Sequence, residues 1–316
     1  MVAKYFNSKY PIMEAAMTRV SDLNLALACR DAGIYPSLVL SDYIIDGVDP
    51  ADRLEAVNLL LTEYVKSTGD GDVVFGAFPE ELVDKKFIKI IKSLNISHLE
   101  ISISNPVVQN SDQNKNNEIY RRVEKYLAPT KLLLRRRSVF SQIQNNGSAY
   151  CLKGSDAAGV SSSEFTTKEL FIKQKELTPG ARLIPYGGIG TPEQVAFYIN
   201  NGAVAIAVGT LLAASKESNL SLATKQAMVS AKKEDLIRLP DTNQLALILG
   251  DEDTVKNNKL PEDWNREHSL QAGVNGTGGH IYVSQVVENI TEIKSVKEIV
   301  EYLVRDVRPD SLFDSK

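Results

Sequence analysis

The chain has 316 residues, of which 43% are hydrophobic and 24% are charged, and both values are ordinary for a globular protein. Its net charge of −4 and pI near 5.6 argue against the basic surface of a nucleic-acid-binding protein. No apolar run approaches the roughly 18 residues of a membrane span, and residues 1–6 lack a secretory signal. Cys29 and Cys151 form neither a disulfide framework nor a zinc motif. We therefore expect a cytoplasmic protein that binds no nucleic acid, membrane or metal.

Short apolar runs alternate with amphipathic segments up to about residue 215. The runs predict eight strands, at residues 11–16, 37–40, 73–77, 98–103, 131–135, 149–153, 183–186 and 205–208. The segments between them predict helices at residues 22–32, 50–66, 80–93, 117–126, 138–145, 167–175 and 193–200. Several strands are nearly continuous in apolar residues, which suits a parallel sheet buried on both faces. The pattern predicts an α/β fold, a (β/α)8 TIM barrel, with an open doubly wound sheet as the alternative.

The alternation of strands and helices ends after Leu211 and Leu212. Residues 222–233 predict a helix, the polar residues 251–267 predict a loop or lid, and residues 293–305 predict a last helix. We therefore assign residues 1–215 and 285–307 to the barrel. Residues 216–284 are assigned to an excursion of helices and loops that returns to the barrel.

Glycines follow the last two predicted barrel strands. Gly187 and Gly188 end one strand, Gly209 and Thr210 end the next, and a helical segment follows each pair. Backbone N–H groups without side chains, beside a helix N-terminus, suit a phosphate. In (β/α)8 barrels the loops after strands seven and eight commonly form such a site. The four residues therefore predict a phosphate-binding site.

Several further motifs, in the same order along the chain, resemble the nitronate monooxygenase-like (2-nitropropane dioxygenase-like) flavoproteins. They are Pro11-Ile-Met-Glu-Ala-Ala-Met17, Lys153-Gly-Ser-Asp-Ala-Ala-Gly159, the two glycine segments, and Gln271-Ala272-Gly273. The resemblance spans most of the chain and implies a (β/α)8 barrel that binds FMN non-covalently. It also implies the cofactor-binding residues, which are Ala15, Ala16, Met17, Lys131, Gly154, Ala158, Gly159, Gly187, Gly188, Gly209, Thr210, Gln271 and Gly273. Lys131 is expected to approach the flavin, where a lysine stabilises negative charge on the reduced ring.

The sequence departs from this family at the catalytic base. The family's histidine position corresponds to Val160, which cannot accept a proton, so a neutral nitroalkane could not be deprotonated there. The family's strand-three amide contact is replaced by Phe78. His280, Asp156 and Arg19 are the candidate catalytic replacements.

We therefore expect an FMN-dependent oxidoreductase, of the monooxygenase or enoyl reductase type. Its substrate would be a small organic nitronate or an unsaturated acyl compound, with NAD(P)H as a candidate electron donor. A catalytically impaired flavin-binding or partner protein remains an alternative, and a dihydrouridine synthase-like enzyme is a weaker one. A homodimer or a larger enzyme complex also remains open.

Overall fold

A computed structural model describes residues 5–39, 49–77, 84–101, 125–141, 147–159, 161–162, 164–239, 243–250 and 265–307. Eight short parallel strands follow one another along the first two thirds of the chain. They are β1 (Ile12–Glu14), β2 (Ser37–Val39), β3 (Val74–Ala77), β4 (His98–Ile101), β5 (Lys131–Arg136), β6 (Ala149–Leu152), β7 (Leu183–Pro185) and β8 (Ile206–Val208). All eight predicted strands are therefore present, and β1, β3, β6, β7 and β8 are one to three residues shorter than predicted.

The eight strands form a closed ring. Strands β2 to β7 pair in sequence order, and β1 pairs with β8. Isolated parallel bridges, Met13 to Tyr35 and Tyr186 to Ala207, join β1 to β2 and β7 to β8. The predicted (β/α)8 barrel is confirmed, and the alternative of an open sheet is excluded because both edges are joined.

Helices surround the barrel, and further helices belong to the excursion. They are α1 (Leu23–Asp31), α2 (Pro50–Thr68), α3 (Lys85–Ser93), α4 (Thr167–Leu177), α5 (Pro192–Asn200), α6 (Thr210–Ala213), α7 (Leu222–Ser230), α8 (Arg266–Asn275) and α9 (Val296–Val304). Reciprocal side-chain to backbone hydrogen bonds fix the start of α4, α5 and α9. Helix α9 packs against α1 and α5 and so completes the outer layer. None of the described helices is long and apolar enough to span a bilayer.

Two predicted helices fall largely outside the described residues. Of the helix predicted at 117–126, only the last two residues are described, and they are helical. Residues 138–141 of the segment predicted at 138–145 are not helical, and residues 142–146 lie outside the described part.

Two apolar cores hold this architecture together. One lies between the strands and the surrounding helices, and the other fills the barrel interior with side chains such as Met13, Leu133, Cys151, Ile184 and Ala207. Successive residues of a strand point to opposite faces, so each short strand contributes to both cores.

The excursion contains a sheet that the sequence analysis does not predict. Strands β9 (Leu236–Arg238), β10 (Leu245–Leu249) and β11 (Gly279–Ile281) pair antiparallel in the order β11-β10-β9. A bridge from Gly159 to Leu245 attaches this sheet to the loop after β6. The expectation of helices and loops alone was wrong, and the sheet adds a wall above one side of the barrel.

Candidate functional site

A cavity lies where the carboxyl ends of β1, β6, β7 and β8 meet the excursion. Among the described residues it is lined from the barrel side by Ala15, Ala16, Met17, Thr18, Val20, Arg135, Lys153, Ala158, Gly159, Tyr186, Gly187, Gly188, Ile189, Gly209, Thr210 and Ala213. The excursion contributes Leu220, Gln244, Leu270, Val274, Ile281, Tyr282 and Ser284. In (β/α)8 enzymes this end of the barrel carries the active site.

The turn after β1 presents its backbone to the cavity. The hydroxyl of Ser21 accepts a hydrogen bond from the Met17 N–H at 3.0 Å and donates one to the Ala15 carbonyl at 3.2 Å. These bonds fix the turn, so Ala15, Ala16 and Met17 line the cavity together, as the sequence analysis expects.

A buried polar network inside the barrel supports Ala16 from below. The Tyr186 hydroxyl accepts the Ala16 N–H at 2.6 Å and donates to the Glu100 carboxylate at 3.2 Å. Arg135 forms an ion pair with Glu100 and donates to the Ala16 carbonyl at 3.3 Å. Both polar groups of Ala16 are thus held by side chains from β4, β5 and the end of β7. The sequence analysis did not identify these three side chains.

Lys153 is a cavity residue with a perturbed charge. It follows β6, is 8% exposed, and its Nζ lies 5.4 Å from the centroid of the Tyr186 ring. Burial, reinforced by the positive charge of Arg135, lowers the pKa of Lys153 to about 7. The amine and ammonium forms therefore coexist near neutral pH. Its position at the start of the Lys153-Gly154 motif was the available sequence signal.

The glycines after β7 adopt backbone conformations that other residues rarely tolerate. Gly187 has φ +83° and Gly188 has φ +71°. A Cβ on Gly187 would lie 2.7 Å from the Ala157 side chain, and one on Gly188 would collide with the Asp156 carboxylate. Glycine therefore allows this turn to pack on the loop after β6 while its backbone lines the cavity.

Gly209 and Thr210 lie on the neighbouring side of the same cavity. A Cβ on Gly209 would lie 3.3 Å from both the Ala15 Cβ and the Met17 Sδ, so the turn after β1 packs closely there. The Thr210 hydroxyl lies 2.9 Å from the Ser284 hydroxyl and accepts the Ser284 N–H at 3.0 Å. The two glycine segments thus meet in one place, as the phosphate-site hypothesis requires.

Four of the expected cofactor residues do not line the cavity. Lys131 is the first residue of β5 and is exposed at the opposite end of the barrel, where it borders a second cavity. Gly154 and Gly273 are glycines because a Cβ would collide with the backbone of Thr167 and His280, respectively. The Gln271 side chain donates to Asn275 along α8. The expected contacts of these four residues with the cofactor therefore find no support in the lining of this cavity.

The three candidate catalytic residues also lie outside the cavity lining. His280 is buried in β11 with its Nδ1 2.8 Å from the Ser269 hydroxyl. Asp156 accepts two bonds from Thr167, both at 2.7 Å, and so anchors the start of α4. Arg19 lies in the turn after β1, between the lining residues Thr18 and Val20. Val160 and Phe78 lie outside the described residues.

Gln244 is a further polar residue that the sequence analysis missed. It is 8% exposed and lines the cavity from the loop before β10. Its side-chain oxygen is buried and has no hydrogen-bond partner among the described residues. Since buried polar atoms are normally paired, this oxygen is a candidate acceptor for a bound molecule.

The fold and the position of the cavity define a (β/α)8 barrel with a ligand site at its carboxyl end. No protein-family model matches the sequence, and a sequence comparison with curated proteins finds no match. Among solved structures, FabK from Thermotoga maritima is similar with a TM-score of 0.74 and 20% identity, over 96% of this chain and 94% of that one. A point mutant of the same FabK has a TM-score of 0.74 and 19% identity, over 96% of this chain and 95% of that one.

A nitroalkane oxidase from Streptomyces ansochromogenes is also similar in structure. The TM-score is 0.71 and the identity 17%, over 95% of this chain and 96% of that one. At these identities the likeness is one of fold, and it extends over the barrel and the excursion together.

Proposed function

We propose that the carboxyl-end cavity binds FMN and that the protein is an FMN-dependent oxidoreductase of the nitronate monooxygenase-like group. The observation that carries the proposal is the meeting of three backbone segments in one cavity. These are the turn at Ala16, the glycines after β7, and Gly209 with Thr210. They are the segments in which the sequence resembles that group of flavoproteins.

The shape of the cavity at Gly159 supports this proposal. Gly159 has φ +64°, and a Cβ added to it would meet only the Lys153 Nζ, at 3.7 Å. A side chain here would therefore project into the space beside Lys153. Its absence leaves room for a flat ligand between the loop after β6 and the excursion.

The polar groups around the cavity also suit a flavin mononucleotide. Lys153 supplies positive charge, Gln244 supplies an unpaired amide oxygen, and Thr210 lies beside the glycine turn where an anionic phosphate is expected. Apolar side chains from the excursion, at Leu270 and Val274, suit the face of an aromatic ring.

FMN, when bound, would supply the capacity to exchange electrons with an organic substrate. A small nitronate or an unsaturated acyl compound is the proposed substrate, and NAD(P)H is the proposed donor for the reductive alternative. The chain itself positions the ligand through the Ala16 backbone, which the Tyr186 and Arg135 side chains hold in place.

FMN titration of the purified protein, followed by flavin absorbance and fluorescence, tests the proposal. We expect saturable binding that Gly159→Leu weakens at least about tenfold, equivalent to 1.4 kcal/mol. Gly69→Leu is the matched control, because Gly69 has φ +81° but nothing within 4 Å of an added Cβ. Equal affinities of both variants for FMN would contradict the site, and no binding by the wild type would contradict the cofactor.

Turnover separates the enzyme from the alternative of a flavin-binding protein. The FMN-loaded wild type should oxidise a nitronate with oxygen or reduce an unsaturated acyl compound with NAD(P)H. Stable FMN binding without turnover of either substrate class would favour the non-catalytic alternative.

A further inference from the structure

Lys153 has no polar partner within the described part of the chain. No described residue forms a hydrogen bond or an ion pair with its Nζ, although Arg135 on the neighbouring strand is paired with Glu100. The Lys153 backbone is fixed, because its N–H donates to the Arg136 carbonyl and its carbonyl accepts the Ser162 N–H. The side chain is therefore held at the end of β6 with its nitrogen left available.

The nitrogen of Lys153 projects into the cavity between two walls. The Tyr186 ring lies on one side, and the open space in front of Gly159 lies on the other. The cavity lining does not include the three residues predicted as catalytic, His280, Asp156 and Arg19. Lys153 is thus the lysine that borders both the Ala16 turn and the glycine turn.

The charges around Lys153 favour its neutral form. Arg135 from β5 and Arg137 just after it disfavour a further positive charge, whereas Glu100 from β4 and the Cys151 thiol of β6 act in the opposite direction. Burial is the largest influence, and the resulting pKa of about 7 makes much of the side chain a free amine at neutral pH.

We propose that Lys153 is the base that removes the α-proton of a small neutral nitroalkane bound in this cavity. The inference rests on the proposed function, and it extends the substrates from preformed nitronates to their neutral parents. It also gives a physical replacement for the base that is missing at Val160.

The proton transfer balances without an oxidant. The Lys153 amine forms an N–H bond, the C–H bond of the nitroalkane breaks, and its electron pair moves into the nitro group to give the nitronate anion. The products are an ammonium and a nitronate, which attract each other in a site shielded from water. Apolar excursion residues such as Ile281 accommodate the alkyl group.

Exchange of the α-hydrogens of nitroethane with D2O, followed anaerobically by NMR, tests this step without electron transfer. We expect the wild type to accelerate exchange above the buffer rate, with a rate that increases as pH rises through about 7 because the free amine is the active form. Lys153→Met should lose about 10²–10⁴-fold of this acceleration. The exposed Lys89→Met variant should retain it.

Lys153→Arg separates a base from a fixed positive charge. Arginine keeps the charge but stays protonated, so exchange should be lost as in Lys153→Met. Exchange at the wild-type rate in Lys153→Arg, or no acceleration by the wild type, would overturn the proposal. Thermal melting of each variant shows whether it is folded, and the arginine variant decides the question if the methionine variant is not.

A substrate that is already deprotonated gives a second readout. Ethyl nitronate needs no deprotonation, so the ratio of nitroethane to ethyl nitronate oxidation should fall at least about tenfold in Lys153→Arg. An unchanged ratio would overturn the role of Lys153 as a base. Exchange without FMN binding would contradict the proposed function alone, whereas FMN binding without exchange would contradict the base alone.

Discussion

The two ends of the barrel each place a lysine over a tyrosine ring, yet the two pairs differ chemically. Lys153 lies 5.4 Å from the Tyr186 centroid at the carboxyl end, and Lys131 lies 5.1 Å from the Tyr5 centroid at the amino end. Lys153 is buried in a cavity, whereas Lys131 is exposed to solvent. Burial, and not the contact with an aromatic ring, therefore distinguishes the cavity lysine from the exposed one.

The barrel interior at the amino end is filled by aromatic packing. The Phe6 ring stacks on Tyr35 with centroids 4.4 Å apart, and His98 contacts both rings edge-on. The Tyr35 hydroxyl lies 3.1 Å from the His98 Nδ1. The carboxyl end instead has glycine turns and a polar network around Ala16. Aromatic packing thus fills the barrel interior at one end, whereas glycine turns and polar groups line the cavity at the other.

Strand β5 carries a positively charged side chain near each end. Substitutions of these two side chains give the largest expected difference in the free energy of unfolding. Arg135→Met should lower the free energy of unfolding by about 3–4 kcal/mol, because Glu100 would retain a buried charge without its partner. Lys131→Met should change it by no more than about 0.5 kcal/mol, since this side chain is exposed. Urea unfolding measures both changes, and equal losses would contradict the distinction between the two ends.

Acid should weaken the amino end through His98. Burial lowers the pKa of His98 from 6.5 to about 3, so below pH 6.5 the unfolded chain binds a proton that the folded protein excludes. The free energy of unfolding should therefore fall as pH decreases from about 6.5 towards 3. His98→Gln should remove roughly 2–3 kcal/mol of this loss between about pH 7 and 4.

The comparison with His98→Gln is made at each pH by urea unfolding. Glu14 is a buried carboxyl whose pKa burial raises to about 8, and it acts in the opposite direction between pH 4.5 and 8. Because Glu14 is present in both proteins, its effect cancels in their difference. A difference that does not change with pH would contradict the burial argument for His98.

Substitutions of two interior tyrosines are expected to have the smallest effects on stability. They also separate the roles of the two barrel ends in FMN binding. Tyr186→Phe and Tyr35→Phe should each cost about 1–2 kcal/mol of stability, because each removes buried hydrogen bonds. Tyr186→Phe alone should also weaken FMN binding several-fold, since it releases the Ala16 N–H. Weaker FMN binding by Tyr35→Phe, measured in parallel titrations, would contradict the assignment of the ligand to the carboxyl end.

The barrel was predictable because buried parallel strands appear as short apolar runs between amphipathic helices. The sheet β9–β11 was missed, although Leu245–Leu249 is itself an apolar run, because both partner strands are short and β11 lies far along the chain from β10. Pairing over such separations leaves little local pattern.

The lining of the cavity was predictable where backbone conformation depends on residue type, as at Gly187 and Gly188. It was not predictable where the direction of a side chain determines whether the residue reaches the cavity. Lys131 and Arg135 belong to the same strand, and only the second reaches the carboxyl end. Gly273 resembles a cofactor contact in sequence but packs on the His280 backbone. Lys153 could have been found from its place directly after a strand.

Hydrogen–deuterium exchange with and without FMN tests the central claim most directly, because it reports both ends of the barrel in one experiment. We expect FMN to slow exchange in residues 15–20, 153–159, 186–190 and 209–213, which surround the carboxyl-end cavity. Residues 95–98 and 127–131, around the amino-end cavity, should be unaffected. Protection confined to the amino end, or none at either end under saturating FMN, would contradict the account.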